Sequence, residues 1–220
     1  MITVIYFWRI KKVYLPLAVL FMALHRWSIK HFPTVGFVKL LGTGKGKSFT
    51  PTDADATRWG LLVTIAPENL SAFDNSRVIK QWRKISHSQY SAELKPISSH
   101  GLWSKKAPFE ISEQSWDGKI AAITRARITW QQNFKFWRAV PPVTQSLHES
   151  AGLISAIGIG EAPIGLQGTF SIWQDAKSLR EFAYKGQAHA KVIADTAANK
   201  WYAEELFARF AIIKESGQLL

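Results

Sequence analysis

Cysteine is absent from the 220 residues. That excludes a disulfide framework, thiolate metal sites, iron–sulfur ligation by this chain and a cysteine nucleophile. Long apolar runs are absent too. The longest uncharged one, Val13 to Leu24, lies between Lys11-Lys12 and His25-Arg26. It is well short of the ~20 residues a helix needs to cross a bilayer. It resembles a signal peptide only superficially, because the apolar segment Ile2 to Trp8 precedes the lysines and no small-x-small site follows Leu24. The run reads as a helix that is buried or lies at a membrane surface. The protein is expected in the cytoplasm, peripheral on the inner face of the membrane.

Acidic groups are scarce: 16 against 28 basic ones, a net charge of +12. Residues 1–110 carry 16 basic and 6 acidic groups, residues 111–220 carry 12 and 10. A basic half beside a near-neutral half suggests an anionic partner on the first half: nucleic acid, an anionic membrane, or an acidic electron-donor protein. No nucleic-acid module is present, and the basic residues form no stripe interleaved with aromatics, so nucleic acid is not expected.

Several signatures of chemistry are missing. There is no Gly-x-Ser-x-Gly elbow. The six histidines, 25, 31, 87, 100, 148 and 189, are scattered rather than spaced for a metal. Gly42-Thr43-Gly44-Lys45-Gly46-Lys47-Ser48 looks like a phosphate loop, but the required glycine is Leu41, and Phe49-Thr50-Pro51 follows where a helix should start. The segment reads as a turn.

What is abundant is aromatic surface: 10 Trp and 13 Phe. That favours a large, flat or greasy ligand. Periodicity gives strands at Thr3–Ile10, Gly36–Leu41, Arg58–Ala66, Tyr90–Ile97, Ile120–Trp130, Gly152–Ile159 and Gly168–Trp173. Helices are expected at Val13–Ser28, Ala72–Ile85, Phe134–His148 and Ala176–Asn199, a loop at Ser98–Asp117, and a last strand within Trp201–Ile213.

The order repeats. Gly36–Gly44 matches Gly152–Gly160 at an offset of 116, Gly60 matches Gly168 at 108, Phe73 matches Phe182 at 109, and Tyr90–Leu94 matches Tyr202–Leu206 at 112. The fold expected is α+β: two tandem ferredoxin-like repeats, 1–110 with a basic surface and 119–215 carrying the site.

On the last long helix, Leu179, Phe182, Gly186, His189 and Ile193 recur at steps of three and four, so they share a face that looks onto the sheet. An inward imidazole beside a glycine is either a core histidine or an axial ligand to haem. Arg125 and Arg127 share a strand face with Ile123, and Arg209 sits in another apolar strand, Leu206–Phe210. Each needs a carboxylate, from Glu204 or Glu205 or from a cofactor.

The chain resembles the spheroidene monooxygenase type of acyclic carotenoid ketolase. The resemblance is carried by Thr124-Arg125-Ala126, Phe136–Pro141, Gly158–Pro163, Thr169–Asp175 and Trp201–Phe210, with Phe37–Gly44, Phe49-Thr50-Pro51, His100–Ser104 and Pro108-Phe109 in the first half. It implies a dimeric α+β barrel-type domain, a haem b iron cofactor and a homodimer. It also implies O2-dependent hydroxylation of an apolar, carotenoid-like substrate, twice at one carbon, to give a ketone. Electrons would come from a ferredoxin or flavodoxin. By that resemblance His189 is the iron ligand, with His148 the runner-up. Trp173, Phe170, Trp137, Arg138 and Arg127 contact the cofactor, Phe136 helps wall the slot, and Arg125 and Arg209 are catalytic candidates. The alternative is a haem-binding or small apolar-ligand-binding α+β barrel protein without ketolase activity.

Overall fold

The computed structural model describes residues 1–113, 115–128, 141, 144–161, 168–185 and 202–219. Phe136, Trp137, Arg138, His189, most of the expected helix Phe134–His148 and the expected helix beyond Lys185 lie outside the described residues.

β-branched and aromatic runs form eight strands: β1 Ile2–Ile10, β2 Phe37–Gly44, β3 Ala54–Ile65, β4 Ser86–Gly101, β5 Ile120–Ile128, β6 Leu153–Gly160, β7 Gly168–Trp173 and β8 Tyr202–Gly217. The described helices are α1 Leu15–Lys30, α2 Leu70–Asp74, α3 Arg77–Ile85 and α4 Ala176–Lys185. Pro16 sits in the first turn of α1, where its missing N–H leaves no helical bond unmade. The single helix expected over Ala72–Ile85 is two. Ser76 restarts the chain as an N-cap, its hydroxyl accepting from the Ile79 amide at 3.4 Å. Strands β4 and β8 each run 16 residues, longer than their apolar cores suggest, because each pairs with a neighbour on both sides.

The strands close into an antiparallel barrel in the order β1-β3-β2-β6-β7-β5-β8-β4. Each half contributes the same order, β4-β1-β3-β2 and β8-β5-β7-β6. The halves meet at two seams. Along β4 and β8 the pairing runs from Tyr90↔Gly217 to Gly101↔Leu206. Between β2 and β6 the described pairs are Gly42↔Gly160 and Thr43↔Ile159.

The sequence offset of 116 between Gly36–Gly44 and Gly152–Gly160 reappears as β2 and β6. The match of Tyr90 with Tyr202 does not hold in register. Tyr90 lies well inside β4, whereas Tyr202 begins β8. The bounds of β4 and β8 differ by 116 at both ends, so Tyr90 corresponds to Leu206.

Alternation sends one set of side chains inward. Ile5, Phe7, Leu62, Ile123, Phe170 and Phe210 are among those that fill the barrel, each at most 2% exposed. An eight-stranded barrel is just wide enough for side chains to fill, which leaves no room inside for a large ligand. The outer face of the first half is covered by α1 and α3. Tyr6, Trp8, Trp59, Leu61 and Val63 pack there against Phe21, Phe73, Ile79 and Trp82. Trp8 stacks between Tyr6 and Trp82, with centroids 5.6 and 5.2 Å away.

The long seam needs glycine at two corresponding points. Gly101 (φ +88°) lies against Glu205, and a Cβ there would stand 2.2 Å from the Glu205 carbonyl oxygen. Gly217 (φ +81°) lies against Gln89, and its Cβ would stand 2.0 Å from that carbonyl oxygen. Both positions combine positive φ with backbone contact, which side chains do not tolerate. Gly101→Ala and Gly217→Ala are each expected to lower stability by about 1–3 kcal/mol. Denaturant unfolding of the two variants checks the value and its similarity.

Candidate functional site

Arg125 points into one mouth of the barrel, where Gly168 lies opposite it in register. Its guanidinium is nearly inaccessible, with the side chain 5% exposed. It donates to Glu204 Oε1 at 2.7 Å and to Glu161 Oε1 at 3.1 Å. Trp103 Nε1 donates to the same Glu161 oxygen at 2.6 Å, and the Arg125 guanidinium carbon lies 5.3 Å from the Trp103 ring centroid. Lys39 bonds Glu161 Oε2 and Ser104 Oγ. Glu204 accepts the backbone amides of Ser104 and Lys105 at 2.9 and 2.7 Å. Burial pushes the Glu161 carboxyl up. Hydrogen bonds from Lys39 and Trp103 and the charges of Lys39 and Arg125 outweigh it and hold the group below the usual range. For Glu204, burial is outweighed by the Lys105 and Ser104 amides and by Arg125.

At the other mouth Arg58, 2% exposed, donates to the Thr43 hydroxyl at 3.2 Å, to the Leu219 carbonyl at 3.0 Å and to the Gly44 carbonyl. Burial, then the like charge of Arg9, lowers its pKa to about 10. Beside it, the segment that resembled a phosphate loop is occupied by its own acid. Asp53 Oδ2 accepts the amides of Gly46, Lys47 and Phe49 at 3.0, 3.0 and 3.3 Å. Those amides are not free for a phosphate, and the turn reading stands.

The outer faces of the two halves differ. The bulges at Arg9/Ile10 and Arg127/Ile128, with Phe7↔Gly60 and Arg125↔Gly168, set β1 against β5 and β3 against β7. In that register Val4, Tyr6 and Trp8 correspond to Ala122, Thr124 and Ala126, while Leu61 and Val63 correspond to Thr169 and Ser171. Each of these five large side chains is a smaller one on the second face, whereas Ile2 and Ile65 correspond to Ile120 and Trp173. The second face thus forms a broad floor of small residues. It is bounded by Trp173, which stacks on Phe182 of α4 at 5.3 Å, and by Arg209. Arg209 donates through Nε to Ser98 Oγ at 2.7 Å and forms no ion pair among the described residues.

The expected site residues divide accordingly. Trp173 and Arg209 lie on the floor's face. Phe170 points the opposite way, into the barrel, so it does not wall a slot with Trp173. Arg125 is taken up by protein carboxylates inside the barrel mouth and is not a cofactor partner there. Arg127 is exposed at that mouth. His148 is exposed and stacks on Phe49 at 5.9 Å. Trp137, Arg138 and His189 lie outside the described residues. Among the described residues no three His, Asp or Glu side chains converge as metal ligands, and no helix is long and apolar enough to cross a membrane. Sequence reasoning assigned no role to Lys39, Trp103 or Glu161. An acid directly after the apolar strand β6 was the available signal.

Fold and floor together define an α+β barrel protein whose first half carries aromatic and aliphatic side chains on its outer face and whose second half carries small ones. Among solved structures, an aldoxime dehydratase in complex with butyraldoxime has this fold, with a TM-score of 0.57 at 10% identity over 96% of this chain and 79% of that one. No family model matches the chain. Spheroidene monooxygenase of Rhodobacter capsulatus is 34% identical over 92% of this chain and 86% of its own length. That of Cereibacter sphaeroides is 33% identical over 90% of this chain, which spans 62% of that relative's length. The chain belongs to the spheroidene monooxygenase family, a family of oxygenases.

The mouth cluster makes a prediction. Glu161 and Glu204 titrate lower in the folded chain than in the unfolded one. Their contribution is full above the ordinary pKa of about 4.3 and is lost as pH falls through the folded values. Arg125→Met leaves the two carboxylates without their shared cation. It is expected to cost about 3–5 kcal/mol at neutral pH and to shrink the acid-side loss of stability. Unfolding curves across pH read both effects.

Proposed function

We propose that the chain is an O2-dependent haem monooxygenase that hydroxylates an apolar, carotenoid-like substrate twice at one carbon to give a ketone. The observation that carries this reading is the small-residue floor of Ala122, Thr124, Ala126, Thr169 and Ser171, where the corresponding first-half face is filled by aromatic and aliphatic side chains. A flat apolar group needs such a face. The small side chains there support haem b as the group this half holds, and so does the family relationship. His189 is the iron ligand we assign, from the sequence spacing of three and four that it shares with Leu179 and Phe182 after Trp173. The matching strand orders support a further reading, that 1–110 and 119–215 are two tandem ferredoxin-like repeats of which the second kept the site.

Bound haem would supply oxygen activation, with electrons from a ferredoxin or flavodoxin. Each turnover inserts one oxygen atom into a C–H bond and releases the other as water, consuming two electrons and two protons. The second hydroxylation leaves a geminal diol, which loses water to give the ketone. The chain's own residues bind and orient. Arg209 offers a cation at the floor's edge for a propionate. Trp173 already bonds Ser171 Oγ through Nε1 at 2.9 Å, so it presents an apolar wall with no unsatisfied donor. Thr124 and Thr169 face each other across the strand pair and keep the floor shallow.

Restoring the first-half residue on the floor tests the site. Thr124→Tyr is expected to weaken haem uptake at least about tenfold, the effect of losing on the order of 1.4 kcal/mol of binding, with circular dichroism unchanged. The Soret band on titration measures it. His189→Ala should remove or shift the band and His148→Ala should leave it. A parent protein that takes up no haem would overturn the reading.

A further inference from the structure

We propose that the outward face of α1 docks on an anionic lipid bilayer. The surface lies on the first half and does not rest on the haem reading. α1 turns Ala18, Phe21 and Ile29 into the core, and His25 bonds Gln81 of α3 at 3.0 Å. On its other side, Leu20, Leu24 and Trp27, at steps of four and three, are 49%, 57% and 69% exposed, beside Val19 at 56%. Val13, just ahead of the helix, is 74% exposed. A surface helix of a soluble domain is ordinarily polar on its outer face. This one is apolar on both. An exposed stripe of that kind, rimmed by cations, is the pattern of a helix lying in a membrane interface.

The rim is basic. Lys11 and Lys12 stand at one end of the stripe, Arg26 and Lys30 at the other, all exposed. The chain contains no Asp or Glu before Asp53. That charge distribution selects the occupant. A second copy seated on the same face would bring these cations against their own copies, and Glu161, the acid that lines the cleft beneath α1, is already paired with Lys39 and Arg125. An anionic bilayer supplies the missing charge, and the lysine stems can lie along the apolar surface with their ammonium groups at the headgroups. The apolar surface continues beneath the helix. A cleft of about 310 Å³ opens between α1 and β2, its apolar lining of Val19, Met22, Ala23, Val38, Leu40 and Trp59 rimmed by Arg26, Lys39 and Glu161.

Flotation of the full chain with phosphatidylcholine vesicles, and with vesicles of phosphatidylcholine and phosphatidylglycerol, tests the surface. Binding is expected to the anionic vesicles, at least about tenfold tighter than to the neutral ones, and to fall as salt is added. Leu24→Ser with Trp27→Ser should weaken it at least about tenfold. Lys11→Glu with Lys12→Glu should do likewise for anionic vesicles only. Both pairs are exposed, so circular dichroism and melting should be those of the parent. Negligible flotation with both vesicle types overturns the proposal. So does flotation that neither pair alters, or a dimer that Leu24→Ser/Trp27→Ser converts to monomer without changing flotation.

Discussion

Closure of the barrel is the constraint on which everything else depends. Eight antiparallel strands leave no free edge, and the enclosed space is filled by side chains drawn from every strand. A ligand larger than a side chain has no place inside, so binding is pushed to the outer faces. The mouths are closed as well, each by one buried arginine. Arg125 is neutralised by two carboxylates, and Arg58 is held by carbonyls and a hydroxyl. A guanidinium suits both tasks, since its fixed fork satisfies several acceptors at once.

The two halves share a strand order and differ in what they lay on it. Outer positions of β1 and β3 carry Val4, Tyr6, Trp8, Leu61 and Val63 and bury them under α1 and α3. That cluster supplies apolar burial for stability. The same positions on β5 and β7 carry small residues, which contribute far less packing. The inner positions diverge too. Phe7 lies over Gly60 in one half, while Arg125 lies opposite Gly168 in the other. One glycine admits a ring to the core and the other admits a charge.

Much of this was legible in the sequence. The offset of 116 located β2 and β6, alternation put Arg125 on the face of Ile123, and Leu41 in the wrong place removed the phosphate loop. Phe170 and Trp173 were misjudged although the signal was present: three residues apart on a strand is an odd step, and odd steps change face. The slip of Tyr90 against Tyr202 came from matching residue types across long strands, where the glycines Gly101 and Gly217 mark the true register. The mouth cluster was legible only in part. Glu204 was one of the two acids the sequence offered to Arg125, and it bonds it from 79 residues away, whereas nothing pointed to Glu161, which only closure brings to Arg125.

That cluster also explains how the shorter seam holds. Between β2 and β6 the described pairs are two, against the long ladder of β4 and β8. Lys39 belongs to β2, Glu161 follows β6, and Arg125 belongs to β5, so the chain Lys39–Glu161–Arg125 ties the first half to the second across the seam. Trp103 adds a hydrogen bond from beyond β4. Glu161 and Lys39 also line the cleft beneath α1. A group that joins the halves therefore sits between the helix of the first and the arginine of the second. The mouth is thus the point where the mechanics of the two halves meet.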